Sequence, residues 1–218
     1  MRKRVLIGVC LWQTVVWAAP SALRADVDSW RVVDVSGPGE VLSSSRSTWQ
    51  PLACPSFIRQ GAQLRTGKDG TVDIALNGGR ESMIHVRPDS LLLFLKIRPS
   101  QVRLLSGSLF VLLEGEGDTL DVWTGRFLAQ LAQGGMAEIS SGTWEDTVKV
   151  FGDQAQLSGY DASGASRRRT VDEGFKLNQG GKRSTGIPAR MDFGDYEDWQ
   201  QWFKKNYDRK DKFLLEKH

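Results

Sequence analysis

The sequence has few of the side chains on which catalysis and metal binding usually depend. Its 218 residues include two histidines, His85 and the terminal His218, and two cysteines, Cys10 and Cys54. A structural zinc site normally takes four His or Cys ligands from clustered positions. A Cys-His catalytic pair would need the fold to bring Cys54 and His85 together, and nothing in the pattern indicates that. We therefore predict a protein that is not an enzyme and that binds no metal or cofactor.

The sequence also lacks an apolar run long enough to span a membrane. Its most apolar run, residues 5–19, contains Gln13 and Thr14 and is shorter than the ~20 residues a spanning helix needs. Basic residues 2–4 precede it and small residues up to Ala25 follow it, which is the layout of a secretory signal peptide. We expect residues 1–25 to be cleaved and the protein to be periplasmic. An uncleaved N-terminal anchor is the alternative, and only that form would associate with a membrane.

Without the predicted signal segment, the chain has no excess of basic residues. The chain has 29 basic and 26 acidic residues, and residues 1–25 hold four basic residues and no acidic one. The remainder therefore has a net charge of −1, which does not point to a nucleic-acid partner. Cys54 is then the only cysteine and cannot form an internal disulfide. We expect a buried, inert thiol, with an intermolecular disulfide as the alternative.

Helical periodicity is absent between residues 60 and 178. Apolar residues alternate instead, as at Val72, Ile74 and Leu76, and glycines separate the alternating stretches. This pattern predicts an all-β domain of many short strands, either a solenoid-like roll or a sandwich. The continuously apolar residues 91–97 predict a strand covered on both faces. We expect the stretch that follows to form two strands, divided at Ser106-Gly107.

The character of the chain changes after residue 160. Residues 160–174 predict a strongly charged loop, and residues 179–194 are typical of a linker. From 195 to 214 we predict a helix, because aromatic residues recur at spacings of three and four on one face. Those residues are Tyr196, Trp199, Phe203 and Tyr207. Asp195 and Asp198 suit the N-terminal cap of this helix.

Several motifs of the β-region occur in the order typical of a FecR domain, and the chain resembles that family over roughly residues 30–178. The matching stretches are Gly61 to Gly67 with its Thr66-Gly67 pair, the alternating strand that follows, Gly78-Gly79, Ser90-Leu91, residues 102–107, residues 147–152 and residues 171–174. One position departs from the pattern: Gly134-Gly135 stands where the family often has a Gly-Thr pair.

The resemblance implies a β-solenoid-like domain at residues 26–178 and a role in envelope signalling. The family is named after inner-membrane regulators of iron-citrate uptake, in which a cytoplasmic anti-sigma segment precedes a membrane helix and a periplasmic domain. Because an export signal begins this chain, we expect the resemblance to extend to the β-domain and not to sigma-factor regulation.

Three groups of residues are candidates for binding. The aromatic residues Trp199, Trp202, Phe203 and Tyr207 either dock the helix on the β-domain or bind a partner protein. The basic run 167–169 (Arg167, Arg168 and Arg169) is either a solvated loop or a contact for an anionic surface. Trp123 and Trp144 could stack on sugars.

The leading functional hypothesis is a non-enzymatic periplasmic binding or sensory module that recognises another envelope protein. The alternatives are a protein that binds the cell wall or another glycan and a membrane-anchored regulator.

Overall fold

Residues 29–76, 81–160, 166–180 and 186–215 are described in a computed structural model of the protein, with side chains described up to residue 205 except that of Tyr160. The predicted signal peptide and the Gly78-Gly79 turn lie outside the described residues. Within them the chain forms 17 strands followed by one helix, α1 (Phe193–Leu215).

The strands are short, as the glycine spacing predicts, with one exception. The bounds are β1 Ser29–Ser36, β2 Gly39–Leu42, β3 Gln50–Pro51, β4 Ser56–Arg59, β5 Gln63–Thr66, β6 Thr71–Ala75, β7 Met83–Val86, β8 Leu91–Lys96, β9 Ser100–Leu112, β10 Thr119–Trp123, β11 Phe127–Ala132, β12 Met136–Ser141, β13 Glu145–Gly152, β14 Gln154–Tyr160, β15 Ser166–Asp172, β16 Phe175–Gly180 and β17 Ala189–Arg190. The exception is β9, which has 13 residues.

Strand pairing connects these strands into one mixed sheet that consists of two sets sharing β9. We call them set A and set B. Set A runs in the order β4-β1-β6-β7-β9-β12-β13-β16-β17. Set B runs in the order β3-β2-β5-β8-β9-β10-β11-β14-β15. The described pairings are antiparallel except β9–β10, so they do not show the stacked parallel coils of a solenoid.

The two sets meet because β9 bends at Gly107. Ser100–Ser106 pairs with set B, whereas Gly107–Leu112 pairs with set A. Gly107 has φ +88°, and a Cβ there would lie 2.2 Å from Ser90 Oγ. Glycine is therefore required by both the backbone conformation and the close approach. The predicted division into two strands at this glycine is wrong: the strand bends but continues.

Sequence landmarks of the FecR resemblance meet at this bend. Thr66 Oγ1 donates to Arg87 O at 2.7 Å and accepts from Ser90 N at 3.0 Å. Ser90 Oγ in turn accepts from Ser108 N at 2.9 Å and lies 3.0 Å from Ser108 O. These bonds join β5, β8 and β9 where the chain passes from one set to the other.

The hydrophobic core consists of the inward side chains of both sets. Trp30 from β1 and Phe94 from β8 are fully buried in it, and their ring centroids are 4.6 Å apart. Each such side chain contributes about 1.5–3 kcal/mol through burial. Along β8, Leu92 and Phe94 are buried, but Leu91 and Leu93 are only half-buried. The prediction that residues 91–97 are covered on both faces is therefore wrong, because the outer face of set B is open at this strand.

The described residues between 160 and 194 form more strand than their composition predicts. The predicted charged loop contains β15, which pairs with β14 along its length, and the predicted linker contains the end of β16 and all of β17. The helix begins at Phe193 and ends at Leu215, which is slightly longer than the predicted 195–214.

Candidate functional site

The helix α1 lies on the outer face of set A. Strand register aligns six outward side chains there into one row across β6, β7, β9, β12, β13 and β16, which we call the A-row. In order, the A-row consists of Asp73, His85, Phe110, Glu138, Lys149 and Lys176. Helix residues contact the A-row from its β16 end toward β7, so α1 crosses the strands.

Aromatic rings form the central part of this contact. Trp199 stacks on Phe151 with centroids 4.7 Å apart and meets Phe110 edge-on at 5.5 Å. Trp202 lies 5.3 Å from the ring of His85 and 5.5 Å from that of Phe110. Both tryptophans are only 6% exposed. Each aromatic pair adds about 0.5–1.5 kcal/mol beyond the area it buries, so the docked helix is held firmly.

Ion pairs fix the first turns of the helix. Asp195 contacts Lys176 of β16 at 2.6 Å and Lys149 of β13 at 3.4 Å. One turn later, Asp198 contacts Arg87, just after β7, at 2.6 Å. Carboxylates near a helix N-terminus also interact favourably with the helix dipole. This end of α1 is therefore stabilised both by ion pairs with the sheet and by the dipole.

Glu138 is the buried centre of this charge network. It lies under the helix on β12, between Arg87 at 2.8 Å and Lys149 at 3.0 Å. Its side chain is 10% exposed. A carboxylate this buried is tolerated only when paired, and each of its two partners also reaches a carboxylate of α1. Glu138 thereby links the sheet to the helix.

The pKa values of two network members move toward the charged state. Burial raises the pKa of Asp195, but hydrogen bonds from Lys176 and the Asp192 backbone and the charge of Lys149 outweigh it, so the pKa lies below its ordinary value. Burial lowers the pKa of Lys149, but Glu138 and Asp195 outweigh it, so the pKa lies above its ordinary value. Both groups are therefore charged at neutral pH, as the docked helix requires.

The local sequence explains why the helix begins where it does. Asp195 N donates to Asp192 Oδ1 at 3.2 Å, and Asp192 N donates to Asp195 Oδ2 at 2.9 Å. This reciprocal pair is a capping box with Asp192 as the N-cap. The prediction that Asp195 and Asp198 cap the helix is thus only half right. Asp195 is the third helical residue of the box, and Asp198 instead bonds to Arg87.

The two groups considered for catalysis are not brought together by any hydrogen bond in the described chain. His85 Nδ1 lies 2.5 Å from Asp73 Oδ1, and its ring is stacked on Phe110 and covered by Trp202. Cys54 is exposed, and its thiol lies 3.9 Å from Val32 O. The expectation of a buried thiol is wrong, because the 43–55 segment runs along the surface.

The remaining predicted binding residues lie in different places. Phe203 is half-buried beside Trp199, at a centroid distance of 5.7 Å, and the side chain of Tyr207 lies outside the described ones. Arg167, Arg168 and Arg169 lie on strand β15 rather than in a loop. Trp144 is 78% exposed in the β12–β13 turn, and Trp123 is 37% exposed on β10.

Sequence reasoning missed the charged residues beneath the helix. Arg87, Glu138, Lys149 and Lys176 belong to four separate stretches of the chain and come together only through strand pairing. One signal was present: Phe110 occupies an outward position between buried Leu109 and Val111. An apolar ring on the outer side of an amphipathic strand indicates that something covers that face.

The residues that the structure describes contain neither a candidate membrane-spanning helix nor a candidate metal site. No described helix is long and apolar enough to cross a membrane. No described group of three or more His, Cys, Asp or Glu side chains could hold a metal ion.

Comparison with known proteins supports the fold. No family model matches the chain, and no curated protein matches it significantly. Two crystal structures of "a putative anti-sigma factor" from Parabacteroides distasonis ATCC 8503, at 1.65 and 2.50 Å resolution, are similar to it, each with a TM-score of 0.52 and with 10% and 11% sequence identity. Each match covers 64% of this chain and 64% of the neighbour.

At that identity the similarity concerns the fold alone. The chain spans less than two thirds of the length of these neighbours. A mostly-β protein with one C-terminal helix is what the sequence predicted, and the structure confirms that description.

Proposed function

We propose that this protein is a non-enzymatic regulatory module of the bacterial envelope, which acts by binding another envelope protein. The observation that carries the proposal is the docked helix: a sheet face of aromatic rings and cations holds the first turns of a helix through two tryptophans and two aspartates. Fold similarity to the two anti-sigma-factor structures supports a regulatory role. On the sequence resemblance we propose that its β-domain is a FecR domain; residues of that resemblance, Thr66, Ser90 and Gly107, meet at one point in the fold.

In this proposal α1 is the recognition element. Trp199, Trp202, Phe203 and Tyr207 form its contact surface, and Trp199 and Trp202 are buried while the helix is docked. A partner that binds these rings must compete with the sheet for them. The partner's affinity is therefore reduced by the cost of releasing the helix, which makes docking a means of regulation.

The test is to hold the helix on the sheet. Arg87→Cys and Asp198→Cys in a Cys54→Ser background place two thiols across the interface, which a short bis-maleimide can join. The crosslinked and unlinked forms of the same variant are then compared as baits in a native envelope extract. We expect the unlinked form to capture a partner and the crosslinked form to lose it.

Two other results would contradict the proposal. Equal capture of the same partner by both forms would show that recognition lies outside α1. Capture of no protein by either form, with the fold verified by circular dichroism, would count against partner binding altogether. The same variant treated with a monofunctional maleimide is the control for thiol modification.

The periplasmic location and the finer fold class are part of the proposal. We infer export with cleavage after Ala25, so the mature protein should begin at Asp26; Edman sequencing of the exported protein tests this against an uncleaved anchor. We also infer that sets A and B form a sandwich-like roll around one core, because inward side chains of both sets belong to one buried cluster.

A further inference from the structure

The outer face of set B carries a second row of outward side chains, and no described element covers it. Strand register aligns β9, β10, β11, β14 and β15 there. The residues of this row, which we call the Arg–Trp strip, are Arg103, Trp123, Leu128, Ser158 and Arg168. Side chains that are paired in register project from the same face of a sheet, so these five form one continuous surface.

The strip places an exposed aromatic ring between two arginines. Arg103 is directly opposite Trp123, and Arg168 lies three strands beyond Trp123. With about 4.8 Å between strands, the two arginines are roughly 19 Å apart along the strip. Both are exposed, and neither has an ion-pair partner among the described residues. The strip therefore carries two cations and no carboxylate.

A carboxylate flanks the strip, but neither arginine forms an ion pair with it. Asp121 lies in the adjacent row of the same face, where it accepts hydrogen bonds from Gln101 at 3.2 Å and Gln130 at 3.3 Å. These two amides satisfy one oxygen each of the Asp121 side chain. They also line the flank of the strip with planar groups that can both donate and accept hydrogen bonds.

The cationic end of the strip lies at an edge of the sheet. In the described chain β15 pairs only with β14 and carries Arg167 and Arg169 beside Arg168. Consecutive basic residues on an edge strand keep other strands from pairing with it. Because successive side chains of a strand point to opposite faces, Arg168 is the member of this run that lies on the strip.

This combination fits one class of ligand. An indole face packs against the apolar face of a sugar ring, while its N–H remains available for hydrogen bonding. A guanidinium binds a carboxylate through two parallel hydrogen bonds. A row of side chains across five strands with separated cations suits an extended polymer rather than a small molecule. We propose that the Arg–Trp strip binds a carboxylate-bearing polysaccharide, with Trp123 against a sugar ring and Arg103 and Arg168 on separate carboxylates.

The experiment uses the exported form, residues 26–218, and measures affinity by isothermal titration at low ionic strength. Polygalacturonate is the probe. Its fully methyl-esterified form keeps the sugars but removes the charge, and poly-glutamate keeps the charge but removes the sugars. We expect binding to polygalacturonate, at least about tenfold tighter than to either comparison polymer, as expected for losing one charge-assisted or stacking interaction.

Matched variants locate the site. Trp123→Ala, and Arg103→Gln with Arg168→Gln, should each weaken binding by about tenfold or more. The controls are Trp144→Ala, an exposed tryptophan outside the strip, and Arg46→Gln with Arg190→Gln, which removes the same charge elsewhere. Both controls should bind like the parent protein.

Each other outcome overturns the proposal. Absence of polygalacturonate binding does so directly. Poly-glutamate bound equally well would indicate an acidic protein ligand, and equal losses in the controls would indicate nonspecific charge attraction. The inference does not rest on the partner-binding function, because the strip and α1 lie on different sets. The crosslinked-helix variant should therefore bind polygalacturonate unchanged, so that the two proposals can fail separately.

Discussion

At the scale of single residues, Gly107 lies where β9 passes from set B to set A, and this bend requires a residue without a side chain. Gly107→Ala would force a Cβ to within 2.2–2.7 Å of three Ser90 atoms in a backbone with φ +88°. Left-handed strain and overpacking together should lower the free energy of unfolding by about 2–4 kcal/mol. Urea denaturation measures this change.

The matched control is Gly117→Ala. Gly117 also has positive φ, +71°, but a Cβ there would meet no atom within 4 Å. We expect a loss of about 1–2 kcal/mol from backbone strain alone. Equal losses in the two variants would show that the contact with Ser90 contributes nothing.

Glu138 tests whether the charge network stabilises the protein. Glu138→Gln keeps the shape of the side chain but leaves the two cations beneath the helix, Arg87 and Lys149, without their shared buried carboxylate. We expect the free energy of unfolding to fall by about 1–3 kcal/mol. Glu116→Gln, in an exposed turn, should change it by no more than about 0.5 kcal/mol. A Glu138→Gln variant as stable as the parent protein would contradict the proposed link between sheet and helix.

At the scale of elements, the attachment of α1 should depend on pH at both extremes. The pKa of Asp195 is lowered from 3.8 in the folded protein, so its contribution is present above that value and is lost as pH falls below it. The pKa of Lys149 is raised from 10.5, so its contribution is present below that value and is lost as pH rises above it. Helix docking should therefore be most stable between these limits.

Paired denaturation series check the acid limb of this dependence. The stability difference between the parent protein and Asp195→Asn should be constant near neutral pH and should shrink as pH falls below 3.8. Lys149→Met provides the corresponding comparison above 10.5. A difference between parent and Asp195→Asn that does not change in acid would contradict the network as the source of docking.

At the scale of the whole molecule, the sequence predicts those features that are set by residues close together in the chain, namely individual strands and the helix. Alternation at 72–76 and at 84–86 predicts β6 and β7, and aromatic spacing predicts α1 to within two residues of each end. Strand pairing is different, because Asp73 and Lys176 share the A-row although about half the chain separates them. The sequence predicts a strand break at Gly107 where the structure has a bend, since a glycine that turns a chain and one that bends a strand have the same local pattern.

The candidate site was predictable only in part for the same reason. The aromatic face of α1 indicates that the helix docks on something, but periodicity does not specify what it docks on. Asp195 and Asp198 form ion pairs with cations of the sheet, and strand register alone determines where those cations lie. The apolar run predicts that Leu91 and Leu93 are covered, yet both are half-buried, because local apolarity does not reveal which sheet face is open.

Removal of α1 should expose an apolar surface of the β-domain that promotes self-association in water. A chain that ends at residue 190 would uncover Phe110, Leu112 and Phe151 on the outer face of set A, where Trp199 and Trp202 now pack. Contiguous apolar surface of this kind promotes association. We expect the truncated protein to remain folded but to self-associate, with an elution volume in size-exclusion chromatography that falls as concentration rises.

A second variant separates this effect from unfolding. Phe110→Ser with Phe151→Ser in the truncated chain should restore a monomer if the exposed rings drive association. The full-length protein carrying only Phe151→Ser should elute like the full-length parent protein, since α1 still covers Phe110. A truncated chain that is monomeric without these substitutions would mean that the face is stable in water, and that α1 is dispensable for solubility.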